Sequence, residues 1–309
     1  MKTFFYAIVF LIGSQFAIAQ DNPSFTDQEI EVNKFINGTL LLPNGVTKPN
    51  LAIIIAGSGP TDRDGNQNFL KTNNLKKLAV GLTKQDIATF RYDKRIVKQI
   101  RKGNVDKSMM FDDFVIDAIS VVEYFRNSDA YNKIYIIGHS QGSLVGLLAA
   151  RDRADGFISL AGAGQSIDMV ITEQVIKTAP MFKDDTIRIF DVLKEGKTTK
   201  DYPIALSSIF NLDVQPFIRN WMKYNPQTEI AKLEMPILII NGTKDLQVSE
   251  AEAKLLHEAA KSSTLKIIEN MNHVLVTIEG DDLENSKSYN ESGRKLAEGL
   301  LNELTQFIK

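Results

Sequence analysis

The chain has 309 residues, 43% of them hydrophobic and 24% charged, with a formal net charge of −2. That composition describes a soluble globular protein with material for a sizeable core. So small a net charge points to neither nucleic acid nor an anionic surface as a partner. No cysteine is present, so neither a disulfide nor an acylated N-terminal cysteine can contribute, and packing alone must hold the fold.

In chain order, the first stretch is set apart from the rest. Lys2 gives a positive start, Phe4 to Gly13 is a short apolar run, and Ala17-Ile18-Ala19 follows with small residues at the flanks. This pattern predicts a signal peptide over 1–19, cleaved after Ala19, and a secreted or periplasmic mature protein from Gln20. The apolar run is too short for a comfortable membrane span, so no span is expected in the mature form.

Beyond it, Glu29 to Val32 and Thr39 to Leu42 read as short strands around a turn at Asn37-Gly38, with a second turn signal at Asn44-Gly45. Leu51 to Ala56 is continuously apolar, as expected of a strand buried on both faces. A helix over Asn74 to Leu82, a strand over Ile87 to Tyr92 and a long amphipathic helix over Phe111 to Phe125 come next. Strand Ile134 to Ile137, helix Ser140 to Arg151 and strand Gly156 to Leu160 continue the rhythm. It resumes later with strand Ile237 to Ile240, helix Glu250 to Ala260, strand Leu265 to Ile268 and a closing helix Ser292 to Ile308. Such alternation predicts an α/β fold: a mainly parallel sheet covered by helices on both faces. Between about 165 and 235 the alternation stops. Apolar bulk such as Met169, Phe182, Phe190, Phe217 and Trp221 crowds a stretch of helical patterns, which predicts a helical cap over the sheet's C-terminal edge within one domain, 20–309.

One junction calls for chemistry. Gly138-His139-Ser140-Gln141-Gly142 lies where the strand Ile134 to Ile137 hands over to a helix. A nucleophile standing free at the top of a parallel sheet needs a very tight strand-turn-helix, with almost no side chain two residues to either side. Gly138 and Gly142 meet that need, and Gly146 would let the helix approach the strand. Ser140 is therefore the expected nucleophile. A serine hydroxyl needs a base, and the chain has three histidines. His139 lies inside the elbow and His257 in mid-helix; His273 follows the late strand, at the sheet edge where the elbow lies, and is the expected base. Asp245, after the strand and turn ILIING, is the expected carboxylate partner, ahead of Asp213 in the helical stretch. Backbone N–H groups must stabilise the oxyanion. Gln141 is expected to supply one, and the loop Ala56-Gly57-Ser58-Gly59-Pro60 the other, through Ser58 ahead of Gly59; Pro60 has no N–H.

These residues, together with AGSGPTDRDGN (Ala56 to Asn66), FRYDKR (Phe90 to Arg95) and GTKDLQV, resemble the α/β-hydrolase superfamily over nearly the whole mature chain. The likeness is to a branch of bacterial carboxylesterases close to the serine-aminopeptidase-type (S33-like) hydrolases. It implies an α/β-hydrolase fold, the Ser140, Asp245 and His273 triad, no cofactor, and hydrolysis of a small-molecule ester through an acyl-enzyme, with short or medium acyl groups and acylated sugars as candidate substrates. An aminopeptidase, a thioesterase or acyltransferase, and a non-catalytic binding protein on the same fold are the other readings. Asp62, Arg63, Asp64, Arg91, Asp93 and Arg95 are expected to pair with one another and pin the oxyanion loop. Gly57-x-Gly59 lacks the rest of a dinucleotide fingerprint, Asp62-x-Asp64-Gly65 lacks the offsets of a calcium loop, and the histidines show no metal-ligand spacing.

Overall fold

A computed structural model describes residues 24–309. The expected signal peptide, 1–19, lies outside the described residues. The chain opens with β1 (Phe25–Glu31), β2 (Asn37–Pro43) and β3 (Leu51–Ile55), then α1 (Asn74–Thr83), β4 (Ala88–Tyr92), α2 (Arg95–Arg101) and α3 (Phe111–Asn127). It continues with β5 (Ile134–His139), α4 (Gln141–Ala150) and β6 (Gly156–Leu160). Five helices follow: α5 (Ile167–Thr178), α6 (Lys183–Lys194), α7 (Ser207–Phe210), α8 (Gln215–Trp221) and α9 (Pro226–Ile230). The closing part is β7 (Ile237–Gly242), α10 (Glu250–Ala259), β8 (Thr264–Ile268), α11 (Asp282–Ser288) and α12 (Leu300–Ile308).

The eight strands make one sheet in the order β1-β2-β4-β3-β5-β6-β7-β8. β1 and β2 run antiparallel to their neighbours, and from β4 onward the pairing is parallel. The period-two geometry of a strand sorts its side chains between two cores. Ile53 and Ile55 of β3 join Phe114, Val121 and Leu144 of α3 and α4 on one face. Ala52 and Ile54 join Leu75, Leu78, Leu300 and Leu304 of α1 and α12 on the other. With both faces covered, an unbroken apolar strand is the expected sequence.

The segment between β6 and β7 has its own apolar core. Val175, Ile189, Phe190, Leu193, Leu206, Phe210 and Ile218 cluster without any sheet residue among them. This helical cap stands over the end of the sheet where the β5–α4 junction lies. No helix among the described residues is long and apolar enough to cross a membrane.

Several elements depart from the sequence reading. Asn37-Gly38 is inside β2 and not a turn; the reversal lies at 32–36, where Val32 N–H donates to the Ile36 carbonyl at 3.0 Å. Gly38 is there because a Cβ would stand 2.4 Å from the Arg91 carbonyl oxygen of β4. The closing helix begins at Leu300 and not at Ser292. Before it, the backbone pairs elsewhere: Ala297 N–H donates to the Leu275 carbonyl at 2.8 Å, and Gly299 takes a left-handed φ of 82°. The helices α2 and α11 have too little apolar periodicity to be visible; α11 is announced only by its N-cap, Asp281, whose side chain accepts from Leu283 and Glu284 N–H groups.

Candidate active site

β5 ends at His139 and α4 begins at Gln141, so Ser140 alone makes the turn. Its backbone sits at φ 55° and ψ −122°, a conformation that costs a non-glycine residue on the order of 1–3 kcal/mol. The surroundings impose it. A Cβ on Gly138 would meet the Gly142 carbonyl oxygen at 2.2 Å, and one on Gly142 would meet that of Ile55 at 2.4 Å. α4 is thus pressed against β5 at Gly138 and against the end of β3 at Gly142, and Ser140 is left projecting at the sheet's C-terminal edge.

β7 and β8 bring up two more groups on the same edge. His273 Nδ1 lies 2.8 Å from Asp245 Oδ2, with the carboxylate fully shielded from solvent. The other oxygen, Oδ1, accepts the N–H groups of Gln247 and Val248 at 2.8 and 2.9 Å. Both carboxylate oxygens are therefore engaged, and Nδ1 is the imidazole nitrogen that faces the acid, leaving Nε2 free of it. Ser140 and His273 line one cavity. No hydrogen bond joins Ser140 to the His273 ring among the described residues; such contacts are often long before substrate binds.

The loop carrying His273 is fastened from two sides. The wholly buried Asn272 donates to Asn285 Oδ1 and Ser288 Oγ, each at 2.8 Å, and accepts from Val274 and Val276 N–H groups. His139 Nε2 lies 2.8 Å from the His273 carbonyl oxygen. Burial, with the neighbouring His273 adding to it, pushes the His139 pKa down to about 4, so this ring is neutral at ordinary pH. A carbonyl only accepts, so Nε2 carries the proton. The side chain next to the serine, which no sequence pattern marks, is a strut under the imidazole's backbone. His257 is remote, on α10, against Ser263 Oγ at 2.6 Å.

The loop after β3 faces the serine: a Cβ on Gly57 would lie 3.1 Å from the Ser140 Cβ. Neither the Ser58 nor the Gln141 N–H donates to a protein acceptor among the described residues, and both residues line a large cavity with Ser140. Behind the loop is Lys94, which in sequence is one more charge between Asp93 and Arg95. It is buried, and its Nζ donates to the carbonyls of Gly57 and Gly59 and lies 5.4 Å from the centre of the Phe114 ring. Burial pushes its pKa down to about 7.

The expected charge frame is present with one rearrangement. Arg63 pairs with Asp93 at 3.1 Å and Arg91 with Asp64 at 2.8 Å, while Asp62 accepts the N–H groups of Asp64 and Asn66. Arg101 and Glu29 join the network, through Asp93 and Arg63. Arg95 turns away from the loop to Asp113 and Asp117 of α3 at 2.6 and 2.7 Å. Asp213 pairs with Lys107 at 2.9 Å and not with a histidine. Among the described residues, no group of three or more His, Cys, Asp or Glu side chains is arranged to hold a metal ion.

Two cavities meet at Ser140. The larger, about 670 Å³, lies under the cap and is walled by Ile96, Met109, Leu144, Val170, Phe217 and Trp221. The smaller, about 240 Å³, opens on the other side, beside His273.

A parallel sheet with an antiparallel edge, a strained serine at the turn after its central strand, and a histidine and a carboxylate on loops after two later strands make up the α/β-hydrolase fold. Within it, residues 71–200 match the family model "Serine aminopeptidase, S33". Esterase EstD of Thermotoga maritima is 24% identical over 269 residues, which cover 84% of this chain and 62% of EstD; the chain thus spans under two thirds of that relative's length. Among solved structures, Est1E from Butyrivibrio proteoclasticus superposes with a TM-score of 0.56 at 18% identity, over 91% of this chain and 95% of its own. A dienelactone hydrolase from Anabaena variabilis superposes with a TM-score of 0.52 at 14% identity, over 92% of this chain and 97% of its own. At these identities the likeness to the solved structures is one of fold.

Proposed function

We propose that this protein hydrolyses carboxylic esters through an acyl-enzyme on Ser140, with His273 as general base and then acid, Asp245 as its orienting carboxylate, and the Ser58 and Gln141 N–H groups as the oxyanion hole. The observation that carries this reading is the strained Ser140 sharing a cavity with an imidazole that a buried carboxylate holds by Nδ1 at 2.8 Å. Its relative EstD is named an esterase, and Est1E has also been solved with ferulic acid bound, which agrees with the reading.

The larger cavity favours an uncharged acyl group, because its walls are mainly apolar and the charged Asp213 and Lys107 in them are paired with each other. The aminopeptidase alternative is weaker here. A free amino terminus would want a shielded, unpaired acid, yet Asp213 at that cavity is paired with Lys107, and Asp106 is exposed to solvent and already accepts from the Ser108 N–H and hydroxyl. Purified protein should cleave p-nitrophenyl acetate and butyrate and be labelled by a fluorophosphonate. Ser140→Ala should abolish both; labelling that persists in that variant would put the nucleophile elsewhere.

Export belongs to the same proposal. Its support is Lys2, the apolar run Phe4 to Gly13 and Ala17-Ile18-Ala19. Sequencing the N-terminus of the protein recovered from its own cells should give Gln20 first; a chain beginning at Met1 would overturn it.

A further inference from the structure

We propose that the smaller cavity is the alcohol subsite of the enzyme and that it takes a polyhydroxylated leaving group, a single sugar ring. This rests on the esterase reading above. The division of labour follows from which cavity the imidazole reaches. Ser140 and Ser58 line both cavities, but His273 lines only the smaller. The leaving oxygen must receive its proton from the imidazole. It therefore departs into the smaller cavity, and the acyl chain lies in the larger one.

The lining of the smaller cavity defines what departs. Thr61, Gln67, Thr72, Asn74, Gln247 and Tyr289 supply hydroxyls and amides, and no lysine, arginine or carboxylate contributes. A charged alcohol finds no partner there, while Leu70 and Val274 give the carbon faces of a ring something to pack on. The polar groups are set in place by one another: Gln67 Nε2 donates to Thr61 Oγ1 at 2.7 Å, and Gln247 Nε2 donates to the Tyr289 hydroxyl at 2.9 Å. Capacity remains beyond those bonds. Tyr289 still has its own O–H to donate, and the side-chain carbonyls of Gln67 and Gln247 accept nothing among the described residues. One donor and two acceptors around 240 Å³, below the range of drug-sized sites, suit a ring whose hydroxyls both give and accept.

The reaction balances without another reagent. Ser140 Oγ bonds to the acyl carbon as its proton passes to His273 Nε2. The bond between that carbon and the sugar oxygen breaks, and His273 returns the proton to the sugar oxygen, releasing a neutral sugar. Water then adds to the acyl carbon, giving its proton to His273. Ser140 Oγ leaves with that proton, and the carboxylic acid is released.

The test compares methyl 6-O-acetyl-glucopyranoside with cyclohexylmethyl acetate, which has the same acyl group and a ring of similar size without hydroxyls, alongside p-nitrophenyl acetate. The expected kcat/KM is at least about 10-fold higher for the sugar ester, since a site built to bond hydroxyls discriminates against a ligand lacking them. Tyr289→Phe and, separately, Gln247→Met should each lower that ratio about 3-fold or more. If p-nitrophenyl acetate is cleaved but the sugar ester is no better than the cyclohexylmethyl ester, the subsite assignment is wrong and the esterase reading stands. If none of the three is cleaved, the esterase reading falls and the subsite with it.

Discussion

Lys94 donates from a buried Nζ to the carbonyl oxygen of Gly57, on the reverse side of the loop that presents Ser58 to the serine. A peptide's N–H and C=O point opposite ways, so a clamp on the Gly57 carbonyl fixes the direction of the Ser58 N–H that shares its peptide plane. Lys94→Met removes this clamp while keeping the length of the side chain. Loss of one oxyanion donor costs about 10²–10³ in kcat. Because the N–H is misdirected and not deleted, a fall of about 10–100-fold in kcat, with KM changed less, is expected on p-nitrophenyl butyrate. Equal losses for a substrate and for thermal stability would mean that Lys94 only supports the fold.

The same lysine gives stability an alkaline dependence. Burial brings its folded pKa down to about 7 from the ordinary 10.5. Between those values the unfolded chain holds a proton that the folded chain has released, so stability rises with pH across that window. The neutral amine still has two N–H groups, enough for the Gly57 and Gly59 carbonyls. Denaturant titrations of the wild type at pH 7 and pH 9, set against Lys94→Met, should show the rise only in the wild type.

His139 works in the opposite pH range. Its folded pKa of about 4 lies below the ordinary 6.5, so the unfolded chain gains a proton first as pH falls. The stability it contributes is present above pH 6.5 and is lost on the way down to about 4. His139→Gln, which keeps a donor for the His273 carbonyl, should lose less stability than the wild type between pH 7 and pH 5. His139→Leu removes the strut and should lower kcat about 10-fold at pH 7. Steady-state kinetics beside urea unfolding curves measure both effects.

Asp245→Asn keeps the shape but offers Nδ1 an amide that can present its N–H instead of an acceptor. A fall of about 10³–10⁴ in kcat is expected, with KM nearly constant, because the imidazole is then held in the wrong tautomer. Activity within 10-fold of the wild type would show that His273 does not depend on this carboxylate.

The elbow glycines differ in what they tolerate. On Gly138 or Gly142 a methyl group meets backbone at 2.2 or 2.4 Å, which cannot yield without moving strand or helix. On Gly146 it meets the Ile136 Cγ2 at 2.9 Å, a side-chain atom that can shift. Gly138→Ala and Gly142→Ala should destabilise by on the order of 3 kcal/mol, and Gly146→Ala by about 1 kcal/mol or less. Thermal melts of the three variants decide the order.

Most of this architecture is legible before any coordinates are seen, because strands buried on both faces are written as unbroken apolar runs such as LAIII. The elbow is legible because steric closeness demands glycine at fixed offsets. What escapes is anything set by long-range placement. Lys94 reads as one more charge in FRYDKR until the fold buries it behind Gly57. His139 reads as a spacer until the loop after β8 arrives above it, 134 residues later in sequence. Arg95 belongs with its neighbours by sequence, but α2 begins at that residue and turns it toward α3. The closing helix reads as longer than it is because Leu296 continues the apolar stripe, although its backbone bridges to Val276.

The cap's separate hydrophobic cluster gives the molecule a modular outer wall. The segment leaves the sheet after β6 and re-enters at β7, a hydrogen-bonded neighbour that runs parallel to β6, so besides walling the cavity it carries the chain back from one edge of the sheet to the other. A lineage could exchange this cassette, and with it the range of chains admitted above the serine, without re-laying a single strand or touching the carboxylate and imidazole loops that follow.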